Sequence, residues 1–174
     1  LEFRRVLFRS ADSANCEVVS IMDVPDAVSS FESVSADLAS NSNLKYSTFA
    51  KGGQILRTDI QVEVNGEGAH CDLNGLALLT DESQYYGHTL VNHKVPGATS
   101  NQLYKNVLNG KARAEYNGLV TVFPKAHQTD SVQANRNLLV SDDARIFARP
   151  QLRIDADDVT CAHGSNTGQL SEEA

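Results

Sequence analysis

The sequence contains no tryptophan, and aromatic residues make up only 6% of its 174 residues. A surface that binds nucleic acid by stacking bases on aromatic rings is therefore not indicated. Fifteen basic residues face 22 acidic ones, a net charge of −7, which disfavours general binding to nucleic acid or an anionic membrane. The longest nearly apolar stretch, residues 73–79, is far shorter than the ~20 residues of a membrane span. We expect neither nucleic acid nor a membrane among its partners.

Cysteine is scarce, odd in number and widely spaced, at Cys16, Cys71 and Cys161. This pattern disfavours a secreted disulfide scaffold and indicates a reducing compartment. Free thiols there are inert core residues or metal and redox groups. Cys16 has only Glu17 as a titratable neighbour, so we assign it to the core. The apolar and charged fractions, 41% and 21%, are typical of one globular domain.

Several catalytic motifs are also missing. The sequence has no G-x-x-x-x-G-K-[ST] phosphate loop, so we expect no nucleotide bound by that route. It has no G-x-S-x-G elbow, no H-E-x-x-H and no C-x-x-C. Carboxylates are plentiful, as in β-helix enzymes that cleave pectin, but no two of them can be paired in space from the sequence.

The first ten residues, LEFRRVLFRS, differ from the rest in carrying three arginines against one acid. We interpret residues 1–10 as a non-native, disordered segment translated from a vector or adapter, with a basic targeting peptide as the alternative. The domain then comprises residues 11–174. Because residues 171–174 could begin a helix, we expect the chain to be a fragment.

A repeat is the most informative feature of the sequence. Stretches that begin at Ala69, Ala112 and Ala144 each have asparagine or arginine five residues later, glycine or proline at six and an aliphatic residue at ten. The offsets of 43 and 32 residues are close to four and three units of about 10.7 residues. Such a unit suits one strand and one turn.

After each of these glycines or prolines, apolar residues alternate with the period two of a β-strand, as at Leu76 and Leu78, and Ile60, Val62 and Val64 do the same. Asn-Gly pairs that could form tight turns occur at positions 65–66, 74–75, 109–110 and 117–118. Short strands with turns between them predict an all-β fold. Stacked repeats favour a β-helix, in which Asn135 and Asn137 could form part of a side-chain ladder, over the alternative of an antiparallel sandwich.

Helix signals are weak. Residues 28–38 have some helical spacing after Pro25, but their serine-rich composition favours a loop leading into a strand. Residues 100–108 could form a short helical turn or another strand.

Cys161 and His163 are the main candidates for chemistry. Two residues apart on an extended segment, their side chains leave the same face. A thiolate and an imidazole together suit iron, zinc or copper. The alternative is a buried thiol beside a hydrogen-bonded histidine, with a purely packing role.

The other histidines give weaker signals. On a strand, His70 and its neighbour Cys71 would face opposite ways, so we interpret them as structural. His88 and His93, five residues apart around an expected turn, could bind a metal together or simply lie on the surface. His127 is assigned to a loop.

Three runs, at residues 100–110, 129–141 and 150–164, resemble the SufB/SufD family. These proteins are the scaffold subunits of the SUF iron–sulfur cluster assembly machinery. The ending D-D-V-x-C-x-H-G, followed by G-Q-L, is similar to the SufD branch. The resemblance covers most of residues 11–174.

The resemblance implies a right-handed parallel β-helix, or β-solenoid. It implies a non-enzymatic scaffold that assembles a transient iron–sulfur cluster with a SufB-like subunit and a SufC-like ATPase. His163 matches the family histidine at the SufB–SufD junction, a candidate cluster ligand, and Cys161 is its neighbour. The SufC-binding helical region would continue past Glu172 and Glu173. The implied location is the cytoplasm, or a plastid. A polysaccharide-active β-helix enzyme and a purely structural partner of SufB remain the alternatives.

Overall fold

A computed structural model describes residues 1–170 as twelve β-strands joined by short turns. Each strand after the first has ten residues. The described residues contain no helix that could cross a membrane. The strands are β1 (Glu2–Arg9), β2 (Asn15–Val24), β3 (Ser29–Leu38), β4 (Asn43–Gly52), β5 (Ile55–Val64), β6 (His70–Leu79), β7 (Gln84–His93), β8 (Thr99–Leu108), β9 (Arg113–Val122), β10 (Asp130–Leu139), β11 (Arg145–Ile154) and β12 (Thr160–Gln169).

The odd-numbered strands form one six-stranded sheet, here sheet A, and the even-numbered strands form a second, sheet B. Neighbouring strands in each sheet are parallel, and one odd and one even strand make up each coil. Paired residues are between 26 positions apart (Ser29 and Ile55) and 32 apart (Arg113 and Arg145). The β-solenoid prediction is confirmed, and the antiparallel sandwich is not the fold.

The repeat unit is longer than the sequence arithmetic predicted. Ala112 and Ala144 precede paired strands of sheet A, so their 32-residue offset is one coil, or two strand-and-turn units. Ala69 precedes β6 of sheet B, so its 43-residue offset to Ala112 is three units. The prediction of four and three units was wrong because each ten-residue strand is joined to a turn of mostly four or five residues.

One turn geometry recurs on the edge where the chain passes from sheet A to sheet B. The residue two positions before each even-numbered strand has a positive φ, between 54° and 68°. Glycine takes this conformation most readily, and asparagine and aspartate tolerate it. The repeated turn returns each coil in register with the last. The six residues are Ser13, Asn41, Gly68, Gly97, Gln128 and Asp158.

Two of the four Asn-Gly pairs are not turns. The pairs at 65–66 and 109–110 lie in turns as predicted, but those at 74–75 and 117–118 lie within β6 and β9. A Cβ on Gly75 would lie 2.3 Å from the Tyr104 ring, and a Cβ on Gly118 would lie 2.1 Å from Gln133 Nε2. Glycine therefore makes room inside the solenoid for a large side chain.

The segments with weak helix signals are strands. Residues 29–38 are β3 itself, so the prediction of a loop leading into a strand was wrong for all but residue 28, whereas residues 100–108 belong to β8, as the strand alternative predicted. Alternation of buried and exposed side chains outweighs the local helical spacing in both.

Disorder in residues 1–10 is not what the structure shows, because Glu2–Arg9 forms β1 beside β3. Val6 and Phe8 pack against the core, and the Arg4 guanidinium lies 2.9 Å from the buried Glu32 carboxylate. Through these contacts, one face of β1 packs against the interior of the solenoid. Its non-native origin stays a prediction.

In sheet B, some inward-facing positions that are apolar in β4 and β6 are polar in β8 and β10. Two columns of paired, inward-facing positions show the change. The first contains Leu44, Cys71, Ser100, Ser131 and Cys161, and the second Tyr46, Leu73, Gln102, Gln133 and His163.

Hydrogen bonds between coils satisfy many of these polar side chains. Ser100 and Ser131 hydroxyls are 2.9 Å apart, and Asn106 Nδ2 donates to Asn137 Oδ1 at 2.8 Å. The predicted asparagine ladder is therefore confirmed at Asn137. Asn137 also donates to Asn135 Oδ1 at 2.6 Å, so the ladder is linked sideways as well.

His93 is completely buried at the end of β7, with Nε2 2.9 Å from the Ser100 hydroxyl. Burial lowers the pKa of His93 to about 4, because the interior disfavours the charged imidazolium. At neutral pH the ring is a neutral hydrogen-bonding group of the polar interior.

Gly75→Ala should destabilise the fold by about 1–3 kcal/mol, because the new methyl group collides with the Tyr104 ring. Gly164→Ala is the matched control, since a Cβ there meets nothing within 4 Å. Urea unfolding of both variants measures the difference. Equal midpoints would contradict the assigned packing.

His93 should make stability fall as the pH drops from about 6.5 towards 4. Its pKa is lower in the folded state than its ordinary value of 6.5, so the unfolded chain binds the proton more readily. The loss approaches roughly 3 kcal/mol. His93→Gln should flatten stability across this range, whereas His127→Gln, at an exposed position, should not. The same pH profile in His93→Gln and parent would refute the assignment.

Candidate functional site

Cys161 and His163 lie on β12, the last described strand of sheet B. β12 is extended, and its residues pair with β10 so that Cys161 lies beside Ser131 and His163 beside Gln133. Both side chains occupy inward-facing positions. The prediction that they leave the same face is confirmed.

The two side chains face the interior yet are accessible. Ser131 and Gln133, at the same positions one coil below, are 0% and 1% exposed. Cys161 is half-buried and His163 is exposed, because no described strand lies above β12. The pair therefore stands on the last described coil, where groups outside residues 1–170 would complete its surroundings.

The Cys161 thiol is protonated at neutral pH. Partial burial raises its pKa, and the nearby Asp130 carboxylate adds to the effect, while a hydrogen bond from the Ser131 backbone opposes it. A metal bound to this sulfur must displace the proton. A free nucleophilic thiolate is therefore not favoured at Cys161.

Among the described residues, no strand pairs with the outer edge of β12, which lies beside these side chains. Thr160 N–H donates to Thr129 O and Leu170 N–H to Leu139 O, so the even-numbered amides point to β10. Alternation then places the N–H groups of Cys161, His163, Ser165, Thr167 and Gln169 on the free edge. The residues of β12 whose side chains face the interior, including Cys161 and His163, are therefore the ones whose N–H groups could pair with another strand.

The edge of β11, at the same end of sheet A, is interrupted. Arg145 N–H donates to Ala112 O and Asp155 N–H to Val122 O, which directs the odd-numbered amides to β9. Pro150 therefore occupies a free-edge position and offers no N–H. Of the two terminal strands described, β12 has the continuous row of donors.

Neither His70 nor Cys71 joins this site. They face opposite ways on β6, as predicted: His70 Nδ1 lies 2.6 Å from the Thr99 hydroxyl, and Cys71 is fully buried. Burial raises the pKa of Cys71 to about 12, so this thiol is inert. Cys16 is half-buried and packs against the core. No described cysteine forms a disulfide.

The possible metal pair of His88 and His93 does not exist in the structure. Both lie within β7 rather than around a turn, and a five-residue separation places them on opposite faces. His88 is on the outer face of sheet A, 3.3 Å from Asp59 and 3.4 Å from Glu115. His127 lies in the loop after β9, where its Nδ1 is 3.1 Å from Asp157 O.

A shallow trough on the outer face of sheet A is where a polysaccharide could bind. Asp59 is the carboxylate among its described lining residues, and Arg57 holds it with hydrogen bonds of 2.7 and 2.9 Å. A hydrolase needs two carboxyl groups flanking the bond to be cleaved. The second carboxylate near the trough, Glu115, is not among its lining residues and is engaged with His88 at 3.4 Å.

No group of three or more histidine, cysteine, aspartate or glutamate side chains in residues 1–170 is arranged to hold a metal ion. Cys161 and His163 could thus supply two ligands of a shared site, with the others from elsewhere. Sequence reasoning missed the polar residues beneath them, Ser131 and Gln133. The S-x-Q spacing at Ser100/Gln102 and Ser131/Gln133, matched by C-x-H at 161–163, was the available signal.

Comparison with known proteins places this geometry in a family. The family model described as the SufBD core domain of SUF system FeS cluster assembly matches residues 5–174. The iron-sulfur cluster assembly protein SufD of Escherichia coli (strain K12) is 36% identical over 126 residues, covering 72% of this chain and 30% of that protein.

Two further relatives extend the match. An iron-sulfur cluster assembly SufBD family protein of Mycobacterium leprae is 31% identical over 169 residues, covering 92% of this chain and 43% of that protein. Protein ABCI7, chloroplastic, of Arabidopsis thaliana is 30% identical over 123 residues, covering 70% and 26%. The chain spans less than half the length of these relatives. The chain therefore belongs to the SufB/SufD family, and its residues 5–174 match the core domain of SUF system FeS cluster assembly.

Proposed function

We propose that this chain is part of a SufD-like scaffold subunit, in which Cys161 and His163 bind a nascent iron–sulfur cluster at the junction with a SufB-like partner. The observation that carries the proposal is the placement of the pair. Both side chains occupy inward-facing positions on β12, and no other described strand covers them. Iron–sulfur clusters are held mainly by cysteine but accept histidine. The cluster is cargo, so an incomplete site that a partner completes suits assembly and release.

The partner would add to the open end through β12. Its row of free amides is a template for strand pairing, and Pro150 makes the β11 edge a poorer one. A strand laid against β12 would bring its own side chains next to Cys161 and His163. Contact and ligation would then occur in one event.

A SufC-like ATPase would supply the energy for assembly, and this chain would bind no nucleotide. The region expected to dock that ATPase continues past Glu172 and Glu173, which lie outside the described residues. The scaffold role is non-enzymatic. The relatives are bacterial and chloroplast proteins, which supports a location in the cytoplasm or a plastid.

The competing proposal is that the chain is only a structural partner, with Cys161 and His163 packing at the interface. The half-buried thiol favours this reading in part, since partly buried cysteines often serve packing alone. The two proposals differ in what happens when the imidazole is removed.

His163→Ala in the full chain, reconstituted anaerobically with its SufB-like and SufC-like partners, iron and sulfide, should lower cluster loading by roughly tenfold or more, since a ligand is lost. Visible absorbance measures the loading. His127→Ala, an exposed histidine in a loop, is the matched control and should load normally.

Size-exclusion chromatography of the same samples checks that the complex still forms. Normal loading in His163→Ala with an intact complex would reject the ligand role and leave the structural one.

A further inference from the structure

Gln133 is a buried polar side chain beneath the candidate site, with an unsatisfied amide. It is 1% exposed, and neither its Oε1 nor its Nε2 makes a hydrogen bond of normal geometry with the described residues. Leaving such a group unpaired forfeits the hydrogen bonds that it would make with water in the unfolded chain. Buried amides in folded proteins almost always have a partner.

The position of Gln133 indicates where that partner comes from. Gln133 pairs with His163 across the β10–β12 ladder, and both side chains point into the interior. Neighbouring parallel strands are about 4.8 Å apart, within reach of two long side chains in one column.

The adjacent columns already make bonds of this kind from coil to coil. The Ser131 hydroxyl on β10 lies 2.9 Å from the Ser100 hydroxyl on β8. The Ser165 hydroxyl on β12 donates to Asn135 Oδ1 on β10 at 3.1 Å. Gln133 and His163 make no such hydrogen bond among the described contacts. His163 is also the member of this column that is exposed.

The surroundings of Gln133 select the atom that is free to bond. A Cβ on Gly118 would lie 2.1 Å from Gln133 Nε2 and 2.5 Å from the Tyr116 hydroxyl, so the amide nitrogen and the phenol share one side of the interior. This leaves the carbonyl oxygen to serve another donor. A histidine that binds a metal through one ring nitrogen usually donates the other N–H to an oxygen.

We propose that Gln133 is the positioning residue of His163: its Oε1 accepts the ring N–H that His163 does not use for metal. The proposal rests on the ligand role of His163 proposed above. Gln133 would fix the tautomer and the plane of the imidazole, and metal binding would relieve the unpaired amide. Gln133 does not bind the metal in this proposal.

Zinc is a suitable probe, because it is redox-inactive and binds sulfur and imidazole nitrogen. In the full chain, Gln133→Leu should weaken zinc binding by about tenfold or more, the usual effect of removing such a partner. Gln133→Glu keeps an acceptor oxygen and should restore much of the affinity. Competition with a chromophoric chelator measures it.

Gln102→Leu is the matched control. Gln102 lies in the same column one coil deeper, is 2% exposed, and accepts a hydrogen bond from Thr89 at 2.7 Å. It should bind zinc as the parent does. If Gln102→Leu and Gln133→Leu weaken binding equally, the effect is one of interior packing and the proposal is wrong.

His163→Ala tests the metal site itself separately from the role of Gln133. Unchanged zinc binding in His163→Ala would remove the proposed site itself. Weakened binding in His163→Ala with parental binding in Gln133→Leu would keep the site and reject Gln133.

Nitrogen-15 spectra of labelled histidine in the zinc-loaded parent give a test that needs no variant. We expect the metal-free ring N–H of His163 to be hydrogen-bonded and slow to exchange with solvent. A rapidly exchanging N–H would overturn the proposal even if Gln133→Leu failed to fold.

Discussion

Register between successive coils is the constraint on which the rest of the structure depends. Because paired strands are parallel and in register, each inward position lies directly above and below its equivalents. A side chain must therefore suit its neighbours in two coils as well as the opposite sheet. Gly75 beneath Tyr104 shows the steric side of this rule. The Ser100–Ser131 and Asn106–Asn137 bonds show its polar side.

The same constraint explains why chemistry concentrates at one end. Inside the stack, a polar side chain can bond to the coil above it, as Ser100 does to Ser131. On β12 the columns continue with Cys161 and His163, but no described strand lies above them. Inward-facing groups that would be buried in any earlier coil are left accessible. A site of this kind can be completed only by groups outside residues 1–170.

Parts of this could be predicted from the sequence because they depend on local periodicity. Alternation identified the strands, and the two-residue spacing of Cys161 and His163 fixed their common face. The length of the repeat was missed, because offsets of 43 and 32 residues can be divided into four and three units or into three and two, and nothing local indicates which strands stack. Gly75 and Gly118 were misassigned to turns, since Asn-Gly is a turn signal unless a ring or amide from elsewhere needs the space.

Gln133 could not have been identified as important from its own neighbours in the chain. Its significance comes from a pairing with a residue 30 positions later and from the packing of Tyr116 and Gly118 on the opposite sheet. Likewise, His88 and His93 seemed a pair until the strand placed them on opposite faces. Long-range register, which a sequence alone specifies only weakly, decides which polar groups meet.

The central claim is that an imidazole of this chain binds the cluster during assembly. Pulsed electron paramagnetic resonance on the reconstituted, reduced complex tests it most directly, with only this chain carrying nitrogen-15 histidine. The account predicts a nitrogen-15 coupling to the cluster that disappears in His163→Ala. A loaded cluster with no such coupling would contradict it.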